Sequence, residues 1–507
     1  MHRTRVFFFV ICLFLLIPCL SAQEVARIVV MVWDPTSAAV PQAKIILLDK
    51  QRGTQRTGMT NETGTLLLEG MPPGEYQLEV EKVGFNKLVL NTVNLHARDL
   101  QSLQLTLQVA AAQATVVNVT AAVEGVLTDT STGAVMSGNY AQNLPLASRT
   151  VQSLLLLTPG ILSVTSGTGD SGIHANGLRS NTNYFMIDGT SANAGPTIAS
   201  LNMDMGGPMG GPGRGPGGGS GISGGSNDNG SLFLPMDAVQ EVRVQTSTFA
   251  PEFGRSPGAQ VSILSRSGTN TLHGSAYEYL RNERMNANDW FANSTGFDRQ
   301  KMRQNNYGAS LGGALKPGRM FYFGSYEMLD YWQPSTAIDS VPSLATRASA
   351  SSKFLPYLNA FPVPNGPDLT YGAAQFFGVY SSPNTSRSGT LRLDRTFRKS
   401  LATFLRYSYT SSNTESRGGG GVSTSAMLTK SNFKSQSLIG GMTWNGGDDA
   451  VNDLRINVTR STFLSNSALD NFGGAVVPAD SALFPSGVDS TLGSASIYVV
   501  GMGGFSK

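Results

Sequence analysis

The chain has 507 residues, of which 58 are Gly and 24 Pro; only 14% are charged, and the formal net charge is +3. So little charge excludes the highly charged disordered regulators, and near-neutrality excludes a dedicated nucleic-acid binder, whose binding face is strongly basic. The length accommodates about three domains. At the start, His2, Arg3 and Arg5 precede an apolar run from Val6 to Ile17 interrupted only by Cys12. Pro18 breaks the run and Ser21-Ala22 supplies small residues, so residues 1–22 read as a cleaved secretory signal. The run is shorter than the roughly 20 residues of a spanning helix. Both cysteines, Cys12 and Cys19, lie in this segment. The exported chain is therefore expected to carry no disulfide, thiolate metal site or cysteine nucleophile. No later run is long and apolar enough for a transmembrane helix, so entry into a membrane would require a closed barrel.

Residues 23–109 alternate strand-like runs with turns in the rhythm of a β-sandwich. Arg27 to Trp33 reads as a strand ending at Asp34-Pro35, Ala43 to Asp49 as the next, and Asn61 to Gly64 as a tight turn into Thr65 to Leu68. Pro72-Pro-Gly74 turns into the alternating Tyr76 to Val80, and Leu103, Leu105 and Leu107 mark a last strand of period two. The order of Asp34 to Ala38, Pro41 to Ile45, Gly64 to Leu68, Pro73 to Val80 and Gly84-Phe85 resembles the carboxypeptidase-regulatory-like domain. That resemblance implies a spacer or docking module. A zinc peptidase needs His and carboxylate ligands at set spacing, and after the signal only His96, His174 and His273 remain, none in a His-x-x-Glu motif. No metal site and no cofactor are expected.

Residues 110–128 are small and apolar, with an extended core at Thr115, Val116, Val117, Asn118, Val119 and Thr120. Such a strand can pair with a partner's sheet edge through main-chain hydrogen bonds. It can equally be a linker or the first strand of the next domain.

Residues 129–269 open with a short helix, Val151 to Leu157, stopped by Pro159-Gly160. A polar approach containing Arg179 then leads through the apolar Tyr184 to Ile187 into an Asp188-Gly189 turn. Further on, Met236 to Gln245 ends as a strand that includes Glu241-Val242, and Phe253-Gly254 precedes a strand from Gly258 to Ile263. This ordered set resembles the plug of TonB-dependent outer-membrane receptors, and Glu252 to Gly258 resembles the Oar-like subgroup. The resemblance assigns the plug motif to Arg179, Asp188, Gly189, Glu241, Val242, Phe253, Gly254 and Gly258. It also makes Thr115 to Thr120 the TonB box, the strand that pairs with the energy-coupling protein. Met203 to Gly230, rich in Gly, Pro and Met, reads as a flexible insertion, since it cannot bury enough apolar area to offset its ordering entropy.

From 270 to 507 the chain counts out strands: Thr271 to Tyr279, Asn306 to Leu315, Met320 to Met328, Gly389 to Phe397, Leu401 to Tyr409, Ser437 to Trp444 and Asp453 to Phe463, with Ser496 to Phe505 as a candidate eighth. Lengths near ten residues with period two suit transmembrane β-strands. Connections alternate short and long, with long ones after Tyr279, Met328 and Tyr409, as in a barrel with short periplasmic turns and long outer loops. Seven or eight strands make a barrel filled by its own side chains, whereas plugged transporters need about 22. The segment is thus expected to be the first part of a barrel, and the chain a fragment or a truncated reading frame.

The expected fold is mainly β: an N-terminal β-sandwich, an α+β plug, and the N-terminal part of a transmembrane antiparallel β-barrel. The resemblance implies an outer-membrane transporter that takes up a scarce substrate by energy-coupled plug displacement. Its partners would be a TonB-type energy-coupling protein, outer-membrane lipid and an unidentified extracellular substrate, with no nucleic acid. A surface structural or adhesion protein on the same barrel is the alternative. No zinc-ligand spacing favours an enzyme.

Overall fold

The computed structural model describes residues 25–110, 117–119, 126–127, 131–144, 149–164, 172–179, 182–192, 234–249, 253, 256–288, 290–294, 296, 298–299, 301–397, 400–419, 423–446 and 450–507. The Met203 to Gly230 insertion lies outside these residues.

The N-terminal unit is built from two sheets. One runs in the order β4 (Thr65–Met71), β1 (Ala26–Trp33), β7 (Leu100–Thr106), β9 (Val126–Leu127). The other runs β3 (Gln55–Met59), β2 (Lys44–Asp49), β5 (Gly74–Glu81), β6 (Leu88–Leu95), β8 (Val117–Val119). Alternate residues of β1, β2 and β5 (Ile28, Val30, Ile45, Leu47, Leu78 and Val80) are fully buried in the core the two sheets share, as period two requires when one face is solvated. Strands β3 and β6 escape the sequence pattern for different reasons. Strand β3 is polar and never fully buried, and β6 buries three consecutive residues before a register shift opposite Tyr76/Leu78.

The segment after β7 departs from a free linker. Strand β8 pairs in parallel with β6, placing Leu88, Val89 and Leu90 opposite Val117, Asn118 and Val119. Strand β9 then pairs antiparallel with β7. The chain thus adds one edge strand to each sheet of the sandwich before it leaves.

The central unit carries a mixed sheet in the order β10 (Thr132–Ser137), β15 (Val239–Ser247), β16 (Gln260–Ser265), β13 (Tyr184–Ile187), β14 (Thr190–Ser191). A two-stranded ribbon, β11 (Ile161–Val164) with β12 (Gly172–Ala175), and short helices over Gly138–Asn143 and Val151–Leu155 complete it. The second helix starts with a capping box between Thr150 and Ser153. Past its end, Gly160 takes φ 83°, open to Gly without a Cβ penalty. Strand β16 is buried along its whole length, so it reads as an unbroken run where an exposed strand would alternate.

Residues beyond 270 form a wall of seven consecutive antiparallel strands: β17 (His273–Asn282), β18 (Arg303–Lys316), β19 (Met320–Pro342), β20 (Ala373–Thr396), β21 (Leu401–Gly419), β22 (Ser423–Asn445) and β23 (Val451–Leu469). One face carries exposed Leu311, Leu391, Tyr407, Leu438 and Val458, which follow one another across strands β18 and β20–β23 at adjoining register positions, with Gly324 between Leu311 and Leu391. The other face carries the central unit: Phe323 of β19 is 1% exposed and packs in the central unit's own core. Phe404, which breaks the inward polar pattern of β21, lies under the guanidinium groups of Arg392 and Arg455.

Two expectations for the wall are corrected. Ser496 to Phe505 is no wall strand: it folds as a hairpin of β24 (Ser496–Val499) and β25 (Gly503–Ser506), whose turn uses Gly501 and Gly503 at φ 80° and 90°. It touches β22 through a single bridge, Ser423 to Gly504, and buries Phe505 against Phe361 in an apolar cluster at the loop end. The long connection expected after Tyr409 is mostly strand, since β21 continues to Gly419 and β22 begins at Ser423. Ser/Thr/Asn-rich sequence conceals these extensions, because outside an apolar belt nothing forces alternation in hydropathy.

Candidate functional site

The seam between central unit and wall is built around the Ile187-Asp188-Gly189 turn. Asp188 and Gly189 take φ 47° and 77°, the left-handed pair of a tight hairpin turn, and the chain returns as β14 with Ile187 opposite Thr190. This turn places the Asp188 carboxylate, 1% exposed, against the end of β16. There the Ser265 amide donates to Oδ1 at 2.8 Å and the Ser265 hydroxyl to Oδ2 at 2.8 Å. From the wall, Arg392 Nη1 donates to Oδ1 at 3.3 Å. Arg406 Nη1 lies 3.1 Å from Oδ2, at ion-pair distance without hydrogen-bond alignment. Arg392 also pairs with Asp394 at 2.8 Å and donates to the Ser265 carbonyl at 2.9 Å. The cluster holds two cations and two anions, so it is neutral as a whole. Burial pushes the Asp188 carboxyl up, but the charges of Arg406 and Arg392 and the bonds from Ser265 outweigh it and hold the group below the usual carboxylate value.

A second buried contact lies on the opposite flank. Asp237 faces Arg149 at 3.4 Å within the central unit and accepts from the wall hydroxyls of Ser275 and Ser310. The Arg149 guanidinium sits 4.8 Å over the Tyr277 ring and 4.4 Å over Tyr279 and donates to the Tyr279 hydroxyl at 2.7 Å. The wall adds Glu327 of β19 beside this cluster, which accepts from the Tyr277 hydroxyl at 2.6 Å. Ser275, Ser310, Ser325, Thr390, Ser408, Ser437 and Thr459 are directly opposite one another in successive pairs, one from each wall strand. They form a row of hydroxyls facing the central unit. Where it reaches β22 and β23 the row borders a cleft lined by Ile187, Thr190, Arg406 and Asn457, across which Asn457 Nδ2 donates to the Ser191 carbonyl at 3.3 Å.

The opposite end of the central sheet meets the sandwich. Arg243 Nη1 donates to the Ala97 carbonyl at 2.6 Å and to Asp99 at 2.8 Å, with both side chains under one-tenth exposed. Glu241 accepts from the Ala97 amide at 3.1 Å and faces His96 Nδ1 at 2.9 Å. The Glu241 contact raises the His96 pKa above its ordinary value, against burial that lowers it; Asp99 assists and Arg243 opposes. Arg98 sits 4.6 Å over the Phe253 ring. The sandwich also reaches the wall's turns: the Asn270 side chain donates to the Arg52 carbonyl at 2.6 Å, and Arg56 donates to Asn445 when the Asn445 oxygen is turned toward it.

The residues singled out from sequence do not converge on one pocket. Asp188 and Gly189 make the turn of the buried ion cluster. Glu241 and Phe253 face the sandwich, and Val242 is fully buried core. Gly258 is buried where an added Cβ would stand 2.5 Å from the Thr182 carbonyl. Arg179 is exposed, its carbonyl accepting from Thr182. Gly254, Thr115, Val116 and Thr120 lie outside the described residues, while Val117, Asn118 and Val119 form β8. Sequence reasoning passed over Arg392, Arg149, Asp237, His96 and Arg243. Arg392 and Arg406 carry a legible signal, since each occupies an inward position between outward-facing apolar residues. Among the described residues no group of three or more His, Cys, Asp or Glu side chains is arranged to hold a metal ion, and no helix is long and apolar enough to cross a membrane.

Residues 264–357 and 349–506 match the family model described as an outer membrane beta barrel domain, and residues 27–108 match the carboxypeptidase regulatory-like domain. The chain is 24% identical over 286 residues to the TonB-dependent transporter Oar of Myxococcus xanthus, covering 54% of this chain and 24% of Oar. It therefore spans about a quarter of the length of the curated relative it matches. Similar solved structures include the outer membrane transporter YddB of Escherichia coli, at 15% identity and TM-score 0.41, covering 65% of this chain and 38% of that one. Another is FpvA of P. aeruginosa, solved with heterologous pyoverdines, at 12% identity and TM-score 0.39, covering 70% and 46%.

Proposed function

The chain belongs to the TonB-dependent outer-membrane receptors, Oar-like in type, with an N-terminal carboxypeptidase regulatory-like domain, and on that premise we propose that its central unit is a displaceable plug and the protein an energy-coupled transporter that does no chemistry on its cargo. The observation that carries this reading is the division of the seam. Two buried charge clusters, at Asp188 and Asp237, hold the central unit, and a row of wall hydroxyls starts at the second and runs past the first to the cleft beside β22 and β23. Buried ion pairs contribute little net stability yet are costly to leave half-broken, so they suit a two-state latch. Serine and threonine hydroxyls exchange partners without stranding a charge. Pull relayed by a TonB-type partner through Thr115 to Thr120 would release the latches and open the cleft beside β21–β23. The outward row of Leu311, Leu391, Leu438 and Val458 meets membrane lipid. The motif residues Arg179 and Gly258 shape backbone turns in this reading and touch no cargo.

The test is a tether across the cleft. Cysteines replacing Ser191 and Asn457 would join plug and wall, and accumulation of labelled ferric siderophores, oligosaccharides and peptides would be followed in cells. Loss of uptake on oxidation, reversed by reductant, supports displacement; unchanged uptake of a cargo that the unmodified protein takes up sinks it.

One observation favours the adhesion alternative. Strands β19 and β20 run on to Pro342 and Ala373, and their loops expose Phe354 and Tyr371 at 63% and 99%. An adhesin would bind surfaces equally well with the tether closed.

A further inference from the structure

We infer that the wall's outward face carries a binding site for the phosphates of an outer-leaflet lipid headgroup, formed by Arg387, Lys434 and Arg460. This inference rests on the reading of the outward row as the lipid face and is independent of plug and cargo. Register puts all three on that face. Arg387 shares β20 with outward Leu391, Lys434 shares β22 with Leu438, and Arg460 shares β23 with Val458. Each is an even number of residues from its apolar neighbour, so both point to the same side of the sheet. All three cations are exposed.

The boundary between apolar and charged positions is sharp. On β20 to β23, Leu393, Leu405, Gly440 and Ile456 lie opposite one another, and the next outward row is Leu391, Tyr407, Leu438 and Val458. Neither row holds a charge. Toward the end that carries the long β19–β20 connection, the following rows are Gly389, Tyr409, Gln436 and Arg460, then Arg387, Ser411, Lys434 and Thr462. These two rows contain three cations and no carboxylate. The nearby outward acids do not neutralise them. Glu415 is held by Lys430 at 3.1 Å, and Asp330 of β19 stands a row further out, opposite Thr385. Among the described residues, none of the three cations has an ion-pair or side-chain hydrogen-bond partner. Arg387 and Lys434 are two strand spacings apart, about 10 Å, and Arg460 is diagonal to Lys434 at about 7–8 Å, so one headgroup can meet all three. Long basic side chains lay their stems on apolar surface and carry the charge to its polar border, and tyrosines such as Tyr407 and Tyr409 mark that border in barrels. The anion fixed at this height is a headgroup phosphate, which guanidinium and ammonium groups bind by charge-assisted hydrogen bonds.

The experiment places the full chain, labelled through Leu454→Cys on the outward face, in phosphatidylcholine vesicles doped with fluorescent lipid A. Energy transfer from the label reads how strongly that lipid gathers at the wall. Lipid A stripped of its phosphates is the lipid control, and inorganic pyrophosphate is the free-phosphate competitor. The inference expects the stripped lipid to bind about tenfold more weakly than lipid A, and the variant R387Q/K434Q/R460Q to lose about the same factor. Lys430→Gln, whose charge is already paired, should stay within about twofold, and pyrophosphate should leave the lipid in place. Equal binding of the two lipids, full binding by the triple variant, or a loss in Lys430→Gln as large as in the triple variant overturns the site. Displacement by pyrophosphate overturns the lipid as its source and makes it a site for free anions. A polarity-sensitive label at Leu454→Cys keeps the two readings apart. Emission typical of water would sink the lipid face itself; emission typical of the bilayer, with no discrimination between the lipids, sinks this inference alone.

Discussion

Asp188 of the central unit and Arg406 of the wall are separated by 218 residues, yet their charged atoms lie 3.1 Å apart with side chains 1% and 2% exposed. The contact depends on a left-handed turn on one side and an inward strand position on the other. Arg392 and Ser265 complete it. Removing one member of such a pair leaves an uncompensated buried charge, at a cost of about 3–5 kcal/mol. Arg406→Met alone should therefore loosen the central unit strongly, and Arg406→Met with Asp188→Asn should recover most of the loss. Denaturant unfolding of both variants would check this; equal damage from single and double variants would contradict a coupled pair.

The sandwich contact should depend on pH through His96. Glu241 raises the folded-state pKa above the ordinary 6.5. The contribution is therefore complete below that ordinary value and is lost as pH rises through the raised one. The His96 side chain is 40% exposed, so solvent screens the pair and the effect belongs to docking more than to global stability. Limited proteolysis between the sandwich and the central sheet should be slower at acid pH than at alkaline pH. His96→Gln should flatten that dependence, and a profile unchanged by the substitution would exclude His96 as its source.

Arg243 is the firmer tie at the same interface. Arg243→Ala strands Asp99, which is 2% exposed, and should cost about 3–5 kcal/mol of docking. Arg243→Lys should not restore it, because an ammonium does not reproduce the fixed fork of guanidinium donors. Hydrogen exchange at residues 96–99 measures the release directly; protection equal to that of the unmodified chain would refute the assignment.

The wall's two faces should respond oppositely to charge. Leu405 points outward and is 48% exposed, whereas Ser412, on the inward face, lies opposite inward-facing Ser386. Leu405→Arg should destabilise the membrane-inserted form by about 2–4 kcal/mol, and Ser412→Arg by far less. The folded fraction recovered from membranes would report it, and equal losses would contradict the assignment of one lipid-facing and one inward face.

Gly258 tests local shape. An alanine Cβ would stand 2.5 Å from the Thr182 carbonyl and 2.7 Å from Asn183 Oδ1, so Gly258→Ala must shift backbone at an overpacking cost of about 1–3 kcal/mol. Thermal unfolding of that variant, with Gly177→Ala as the control where no neighbouring atom is met, separates crowding from strain; the Gly177 variant reports the cost of positive φ alone.

By itself, the sequence determined what repeats locally. Period two in Tyr76 to Val80 and Leu401 to Tyr409 marks strands with two unlike faces, and Asp188-Gly189 marks a turn whose left-handed backbone those two residues tolerate. The ordered motifs identified the family, because motif order survives without knowledge of contacts. Tertiary structure alone decided the partners. Arg392, Arg406 and Arg243 are ordinary charges in the sequence until strand register brings each to a carboxylate far along the chain. The hydroxyl row is invisible for the same reason, as its seven members share neither motif nor spacing and are aligned only by the pairing of their strands. Ser496 to Phe505 shows the converse. Its apolar residues fit a wall strand, but Gly501 and Gly503 turn the backbone and Phe361 offers Phe505 a buried contact, so packing, which local hydropathy does not encode, chose the hairpin.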